Sequence, residues 1–213
     1  MTVDDTIVFI VDDDEALREA LGELLEANGI RSALFRSAGD YIGSDKPDLP
    51  ACLILDIELP DINGLELQRQ IAQGDHPPIV FITGHGDIPS SVRAIKHGAV
   101  DFLTKPFSDT ALLGAIRSAI AQDVETKAKR SELSLLKQRY QELSPREREV
   151  LPLVVSGLLN KQAAAELGIS EVTLQIHRRN VMQKMAAPSF AELVRIAERL
   201  EIPIQHARRR GGA

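Results

Sequence analysis

Carboxylates follow two short apolar runs in the first half of the chain. Asp12 and Asp13 follow residues 7–11, and Asp56 follows residues 52–55. Carboxylates that converge repel one another and raise their own pKa values unless a cation joins them. Oxygen ligands of this kind suit Mg²⁺, which takes few carboxylates and keeps several waters. These residues therefore predict a magnesium site in which Asp56 is a candidate nucleophile.

Two further polar side chains follow apolar runs. Thr83 comes after residues 79–82, and Lys105 comes shortly after residues 100–103. A lysine supplies a fixed positive charge and a threonine a hydroxyl, so that with a metal they would neutralise phosphoryl oxygens while Asp56 accepts the phosphoryl group. Taken singly, each residue has a simpler explanation as a helix start, a turn residue or a surface lysine. The combination in this order predicts phosphoryl transfer.

The elements that must position these residues are short apolar strands separated by helical segments. The strands are predicted over residues 7–11, 31–35, 52–55, 79–82 and 100–103. Alternation of strand and helix predicts an α/β fold with a doubly wound, five-stranded parallel sheet. Right-handed crossovers keep the carboxyl ends of parallel strands at one edge, so the polar residues should meet there.

This half of the chain, residues 1–123, resembles the receiver domain of two-component response regulators. The segments that carry the resemblance are Val11-Asp12-Asp13-Asp14, Leu55-Asp56, Leu59-Pro60-Asp61-Ile62-Asn63-Gly64-Leu65-Glu66-Leu67, Ile82-Thr83-Gly84 and Thr104-Lys105-Pro106-Phe107. Leu59 stands where methionine is usual, and Asn63 stands where aspartate is usual. Neither position carries chemistry in the family.

The resemblance implies a role for each residue at the predicted site. Asp56 would take a phosphoryl group from a sensor histidine kinase, assisted by Lys105 and Thr83. The implied Mg²⁺ ligands are Asp12, Asp13, Asp56 and the backbone carbonyl of Glu58. The implied switch pair is Thr83 and Phe102, which would move when Asp56 is phosphorylated.

Composition and charge separate the chain into two parts. The 213 residues are 44% hydrophobic and 26% charged, typical of a soluble globular protein. Residues 1–125 carry 22 acidic and 9 basic side chains, whereas residues 126–213 carry 9 acidic and 16 basic ones. We therefore expect two domains with different partners, the basic one binding nucleic acid. The absence of a signal peptide, a membrane span and a cysteine pair predicts a cytoplasmic protein without membrane contact.

A helical linker is predicted over residues 124–142. Apolar residues recur there and just beyond with a spacing of three and four, at Leu133, Leu136, Tyr140 and Leu143. This spacing is compatible with a short coiled-coil seam between two protomers, or with a helix that packs on its own domain.

The basic half, residues 143–204, is predicted to be an all-α, four-helix domain with a helix-turn-helix. It resembles the LuxR-type DNA-binding domain. The segments that carry this resemblance are residues 143–151, Gly157, residues 160–164, residues 167–174 and His177. The combination of this domain with a receiver domain in one chain resembles the FixJ branch of response regulators. The remaining residues, 205–213, form a basic tail in which Arg208, Arg209 and Arg210 either add nonspecific DNA affinity or serve only as a solubilising tail.

In this resemblance the third helix of the domain enters the major groove of double-stranded promoter DNA. The candidates for base edges are Glu171, Gln175, Ile176 and Arg179. The candidates for phosphate contacts are Lys161, Thr173, His177, Arg178 and Lys184.

These observations predict a phosphorylation-dependent DNA-binding transcriptional regulator that forms a homodimer on phosphorylation and works with RNA polymerase. One alternative is a phosphorylation-independent dimeric regulator that uses the receiver as a dimerisation module. Another is an enzyme, because Asp56-Ile57-Glu58 resembles the aspartyl-phosphate hydrolases. A substrate cap is missing, so we expect no enzymatic activity beyond phosphorylation and dephosphorylation of the chain itself.

Overall fold

The computed structural model describes residues 6–72, 74–84 and 88–203. The predicted basic tail with Arg208, Arg209 and Arg210 lies outside the described residues. The chain divides into two compact units, Met1–Lys127 and Ala128–Ala213.

The first unit is built on a five-stranded parallel sheet, which confirms the predicted α/β fold. The strands are β1 (Ile7–Val11), β2 (Arg31–Phe35), β3 (Ala51–Asp56), β4 (Ile79–Thr83) and β5 (Asp101–Thr104). Their order across the sheet is β2-β1-β3-β4-β5, and each neighbouring pair is parallel. β2 lies on one side of β1 and β3 on the other, so the strand order switches direction between β1 and β3, and the polar residues at the carboxyl ends of these two strands lie side by side.

Helices cover both faces of this sheet. They are α1 (Glu15–Ala27), α2 (Ala38–Gly43), α3 (Gly64–Ile71), α4 (Ile88–Lys96) and α5 (Asp109–Gln141). Side chains alternate between the faces along each strand. One apolar cluster joins Phe9, Leu53 and Leu55 to α2, α3 and α4, and the other joins Ile10 and Ile54 to α1 and α5. The inner strands are therefore buried on both sides, which accounts for their unbroken apolar runs.

Helix α5 contains most of the predicted linker. It continues without a break for 33 residues, past the end of the first unit at Lys127. Leu136 and Leu143 are buried in the apolar core of the second unit, and Tyr140 packs against that core. The structure therefore favours the alternative in which this segment packs on its own domain over a coiled-coil seam.

Up to residue 203, where the described part of the chain ends, the second unit contains four further helices, which confirms the predicted all-α domain. They are α6 (Pro145–Val155), α7 (Asn160–Leu167), α8 (Glu171–Lys184) and α9 (Phe190–Arg199). Gly168 ends α7 in the left-handed conformation, with φ 67°. The hydroxyl of Ser170 then caps α8 by accepting a hydrogen bond from the amide of Thr173. This tight connection produces the helix-turn-helix.

Among the residues that the structure describes, we find no helix both long and apolar enough to span a membrane.

Candidate functional site

The carboxyl edge of the sheet brings together the side chains that the sequence singled out. Lys105 Nζ donates to Asp12 Oδ2 at 2.8 Å and to Asp56 Oδ2 at 2.7 Å. Thr83 ends β4 next to this pair, because Asp56 is in register with Ile82. Asp13 completes the group, since carboxylate oxygens of Asp12, Asp13 and Asp56 lie within 4.8 Å of one another. Residues more than 90 positions apart therefore share one site.

Burial and hydrogen bonds hold these carboxylates in place. Asp12 and Thr83 are fully buried and Asp56 is 5% exposed, whereas Asp13 is exposed. Asp12 Oδ1 accepts from the amide of Asp14 at 2.9 Å, and Asp56 Oδ1 accepts from the amide of Glu58 at 3.1 Å. Each buried carboxylate thus has one oxygen on a backbone amide and the other on Lys105.

The charges at this edge do not balance. Burial raises the pKa of Asp12, and the hydrogen bonds from Lys105 and the Asp14 amide only partly offset this effect. Burial alone would lower the pKa of Lys105, but its hydrogen bonds to Asp12 and Asp56 outweigh burial and raise that pKa. Three carboxylates face one ammonium group, so a divalent cation would neutralise the excess negative charge. An all-oxygen set of this kind fits Mg²⁺.

The loop after β3 is tightly packed against the backbone of Asp56. A Cβ at Gly64 would lie 2.3 Å from the carbonyl oxygen of Asp56, so no other residue fits there without displacement of the loop. The amide of Gly64 also donates to the carbonyl of Ile57 at 2.8 Å. Sequence reasoning placed Gly64 only within the segment that carries the family resemblance and did not reveal this close approach.

Two further residues that sequence reasoning missed support the site. Arg18 Nη1 donates to the backbone carbonyl of Asp12 at 2.7 Å and so fixes the chain after β1. Asp61 Oδ2 accepts from the amide of Gly39 at 2.8 Å, which ties the loop after β3 to the start of α2. An arginine six residues after Asp12 on a predicted helix was the only sequence signal for the first contact.

The remaining residues implied at this edge are Glu58 and Phe102. Glu58 is exposed and lies two residues after Asp56, just beyond the end of β3. Phe102 is half-buried on β5, with its ring centroid 6.4 Å from that of Phe81. Phe102 therefore has access to both the apolar cluster and the surface.

In the second unit, α8 exposes all four residues predicted to reach base edges. Leu174 and Val181 are buried and fix the inner face of this helix. Glu171, Gln175, Ile176 and Arg179 are exposed, as is Lys161 at the start of α7. The polar and basic side chains on this face are suited to a nucleic acid.

Among the other predicted phosphate contacts, Arg178 and Thr173 have partners inside the unit. Arg178 Nη1 donates to Asn160 Oδ1 at 3.1 Å, and its guanidinium lies 5.1 Å from the ring centroid of Phe190. The hydroxyl of Thr173 lies 2.8 Å from that of Ser170. His177 Nδ1 is buried without a hydrogen-bond partner within the described part of the chain. The contacts of Arg178 connect α8 to α7 and α9.

Lys184, the last of these predicted contacts, is paired with a buried carboxylate. Its Nζ donates to Glu147 Oε2 at 2.7 Å, and Glu147 is only 3% exposed. Glu147 also accepts from the amide of Ser144 at 2.8 Å, which completes a capping box on α6. Burial would raise the pKa of Glu147, but Lys184 and the Ser144 amide lower it to about 2. The pair therefore joins the end of α8 to the start of α6.

Comparisons with known proteins agree with both halves of this description. A family model for the response regulator receiver domain matches residues 8–117, and one for bacterial regulatory proteins of the luxR family matches residues 141–197. Nodulation protein W of Bradyrhizobium diazoefficiens is 47% identical over 201 residues, covering 94% of this chain and 88% of that protein. Transcriptional regulatory protein FixJ of Rhizobium meliloti is 42% identical over 196 residues, covering 91% of this chain and 95% of that protein. The solved structure of response regulator StyR is 45% identical, with a TM-score of 0.80 over 91% of this chain and 98% of that one.

Proposed function

Because this chain belongs to the response regulators that join a receiver domain to a luxR-type DNA-binding domain, we propose that phosphorylation of Asp56 switches its binding to promoter DNA. The observation that carries the proposal is the double contact of Lys105 with Asp12 and Asp56. It supports the proposal because two buried carboxylates, one of which would act as the nucleophile, lie within hydrogen-bonding distance of one fixed cation.

The phosphoryl donor is a histidine kinase that carries a phosphohistidine. A carboxylate oxygen of Asp56 attacks the phosphorus, the new P–O bond forms, and the P–N bond to the histidine breaks. The ammonium of Lys105, 2.7 Å from Asp56 Oδ2, is close enough to contact the incoming phosphoryl oxygens. The amide of Glu58 holds the other oxygen of Asp56 and so orients the carboxylate.

Asp12, Asp13, Asp56 and the backbone carbonyl of Glu58 would hold Mg²⁺. When bound, this ion neutralises negative charge on the phosphoryl group and on the surrounding carboxylates. Arg18 keeps Asp12 in position through its bond to the Asp12 carbonyl.

Phosphorylation adds roughly 1.5 to 2 negative charges and strong acceptor oxygens at the end of β3. The hydroxyl of Thr83, buried at the end of the adjacent strand, turns toward these oxygens. Movement of Thr83 opens space into which half-buried Phe102 rotates. A local change in charge is thereby converted into a change of shape at the face formed by α4 and β5.

The output is a homodimer that binds a two-fold-related promoter site and acts with RNA polymerase in the cytoplasm. The exposed face of α8, with Gln175 and Arg179, reads base edges in the major groove. We assign the chain no turnover of an external substrate, and its phosphoryl chemistry is confined to Asp56.

Equilibrium DNA binding tests this proposal. The full chain is incubated with Mg²⁺ and acetyl phosphate and titrated against a pool of promoter duplexes, with Asp56→Asn as the matched variant. We expect acetyl phosphate to tighten binding of the wild type and to leave the variant unchanged. Equal affinity with and without the phosphodonor would instead support the phosphorylation-independent alternative.

A further inference from the structure

Helix α8 exposes two apolar side chains on the same face as Gln175 and Arg179, the polar residues predicted to contact base edges. Val172 is 67% exposed and Ile176 is 56% exposed, although both are β-branched hydrophobic residues. They are four positions apart, so they lie on the same side of the helix, one turn from each other. Leu174 lies between them in sequence but is fully buried on the opposite side. The exposed pair therefore contributes nothing to the core of the unit.

We infer that Val172 and Ile176 form an apolar pair that recognises the C5-methyl groups of thymine in the major groove. The inference rests on the DNA-binding function of the second unit. Each base pair shows its own pattern of donors and acceptors in the major groove, and the thymine methyl is the apolar group of that pattern. Apolar side chains can contact this methyl group, and they form no hydrogen bonds with the base edges.

The neighbours of the pair support DNA as the occupant of this face. Gln175 and Arg179 are exposed beside it, and Lys161 is exposed at the start of α7. The basic side chains complement the phosphate backbone of DNA, and the apolar pair between them complements methyl groups in the major groove. Glutamine suits adenine, whose partner is the thymine that carries the methyl group. Gln175 and the apolar pair can therefore read the two bases of A·T pairs.

The spacing of the pair limits the sequence that it recognises. Four residues of a helix rise about 6 Å, whereas two base-pair steps rise about 6.8 Å. A helix that crosses the groove thus places Val172 and Ile176 over thymines at most two or three base pairs apart. We expect each half of the preferred site to contain two such thymines.

The test replaces thymine with uracil, which removes only the methyl group and keeps base pairing. Preferred duplexes are first selected from a random pool with the full chain, Mg²⁺ and acetyl phosphate. Each thymine of a half-site is then replaced singly by uracil. We expect two positions at which wild-type affinity falls by about fourfold, the value for one buried methyl group.

Two variants identify the side chains responsible. Val172→Ala and Ile176→Ala should each become insensitive to uracil at one of the two positions, and both should keep the fold because the residues are exposed. Leu135→Ala, at a residue 46% exposed on α5, is the matched control and should respond like the wild type.

The possible results separate the inference from the function on which it rests. Selected sites without thymine in the half-site, or variants that keep the full uracil response, would overturn the inference while DNA binding stands. Failure of the wild type to bind any duplex would overturn both.

Discussion

Lys105 contacts two carboxylates at once, so its removal should change metal binding and phosphorylation in opposite directions. In Lys105→Met the three carboxylates lose their neutralising ammonium, and a divalent cation should bind about tenfold more tightly. Phosphorylation by acetyl phosphate should become much slower, because nothing replaces the lysine at the phosphoryl oxygens. Titration with Mg²⁺ by calorimetry and intact mass spectrometry would measure the two effects.

Lys127→Met is the matched control for this variant. Lys127 forms an ion pair with Asp48 at 2.8 Å and lies beside Asp123. The carboxylate of Asp123 accepts a hydrogen bond from the amide of Ala51, so this group lies at the end of β3 opposite to Asp56. This control should leave both Mg²⁺ affinity and phosphorylation unchanged. Weaker Mg²⁺ binding in Lys105→Met would show that the lysine organises the carboxylates rather than competing with the metal.

Gly64 should tolerate no side chain, because a Cβ would lie 2.3 Å from the Asp56 carbonyl. Gly64→Ala should lower the free energy of unfolding by about 1–3 kcal/mol. It should also slow phosphorylation, because relief of the clash displaces the backbone of Asp56. Gly114→Ala is the control, because Gly114 lies exposed within α5 with open space around it and should gain up to about 1 kcal/mol. Denaturant unfolding of both variants checks the sign, and a neutral Gly64→Ala would contradict the packing described for this loop.

Among the helices, the contact between α6 and α8 should depend on pH through Glu147. Its pKa is about 2 in the folded chain, compared with an ordinary value of 4.5. A lowered carboxyl pKa stabilises the fold above pH 4.5, and this contribution is lost as the pH falls from 4.5 toward 2. We expect it to be about 2 kcal/mol, because Lys184 is 39% exposed and solvent weakens the pair.

Hydrogen exchange of peptides from α6 and α8 measures this dependence. Glu147→Gln should exchange faster than the wild type at pH 6, and the difference should shrink as the pH falls below 4.5. A difference that is constant across this range would show that the charge of Glu147 does not contribute.

Arg178 should strengthen DNA binding by positioning α8 and not by contacting a phosphate. Its guanidinium is engaged by Asn160 and by the ring of Phe190. Arg178→Ala should therefore weaken DNA binding without changing the slope of log affinity against log salt. Lys161→Ala removes an exposed lysine and should reduce that slope by about 0.9. An equal reduction in Arg178→Ala would mean that Arg178 leaves Asn160 in the complex and contacts a phosphate.

These helices also show where sequence reasoning ends. The start of α6 was predictable, because Ser144, Pro145 and Glu147 form a local capping signal that the structure reproduces. The pairing of Lys184 with Glu147 was not, because the two residues are 37 positions apart and meet only through helix packing. Lysines and arginines on a predicted recognition helix look alike in sequence whether they face DNA or a neighbouring helix.

Across the whole chain, topology explains why the site at the carboxyl edge could be predicted. In a parallel sheet, the residue that ends a strand is also the residue at the edge, so Asp56 and Thr83 were placed by strand boundaries alone. A helical linker was also predicted, over residues 124–142, but its polar first part carries no periodic signal that would indicate one unbroken helix from Asp109 to Gln141. The burial of Leu136 and Leu143 in the second unit could not be predicted from their spacing, because that spacing fits a coiled-coil seam equally well.

The solution mass of the full chain is the most direct test of the switch at Asp56. It would be measured by sedimentation with Mg²⁺, before and after acetyl phosphate, with Asp56→Asn alongside. We predict that the wild type changes from monomer to dimer and that the variant stays monomeric. A wild type that is already dimeric and keeps its mass, or a variant that dimerises equally, would contradict assembly driven by phosphorylation of Asp56.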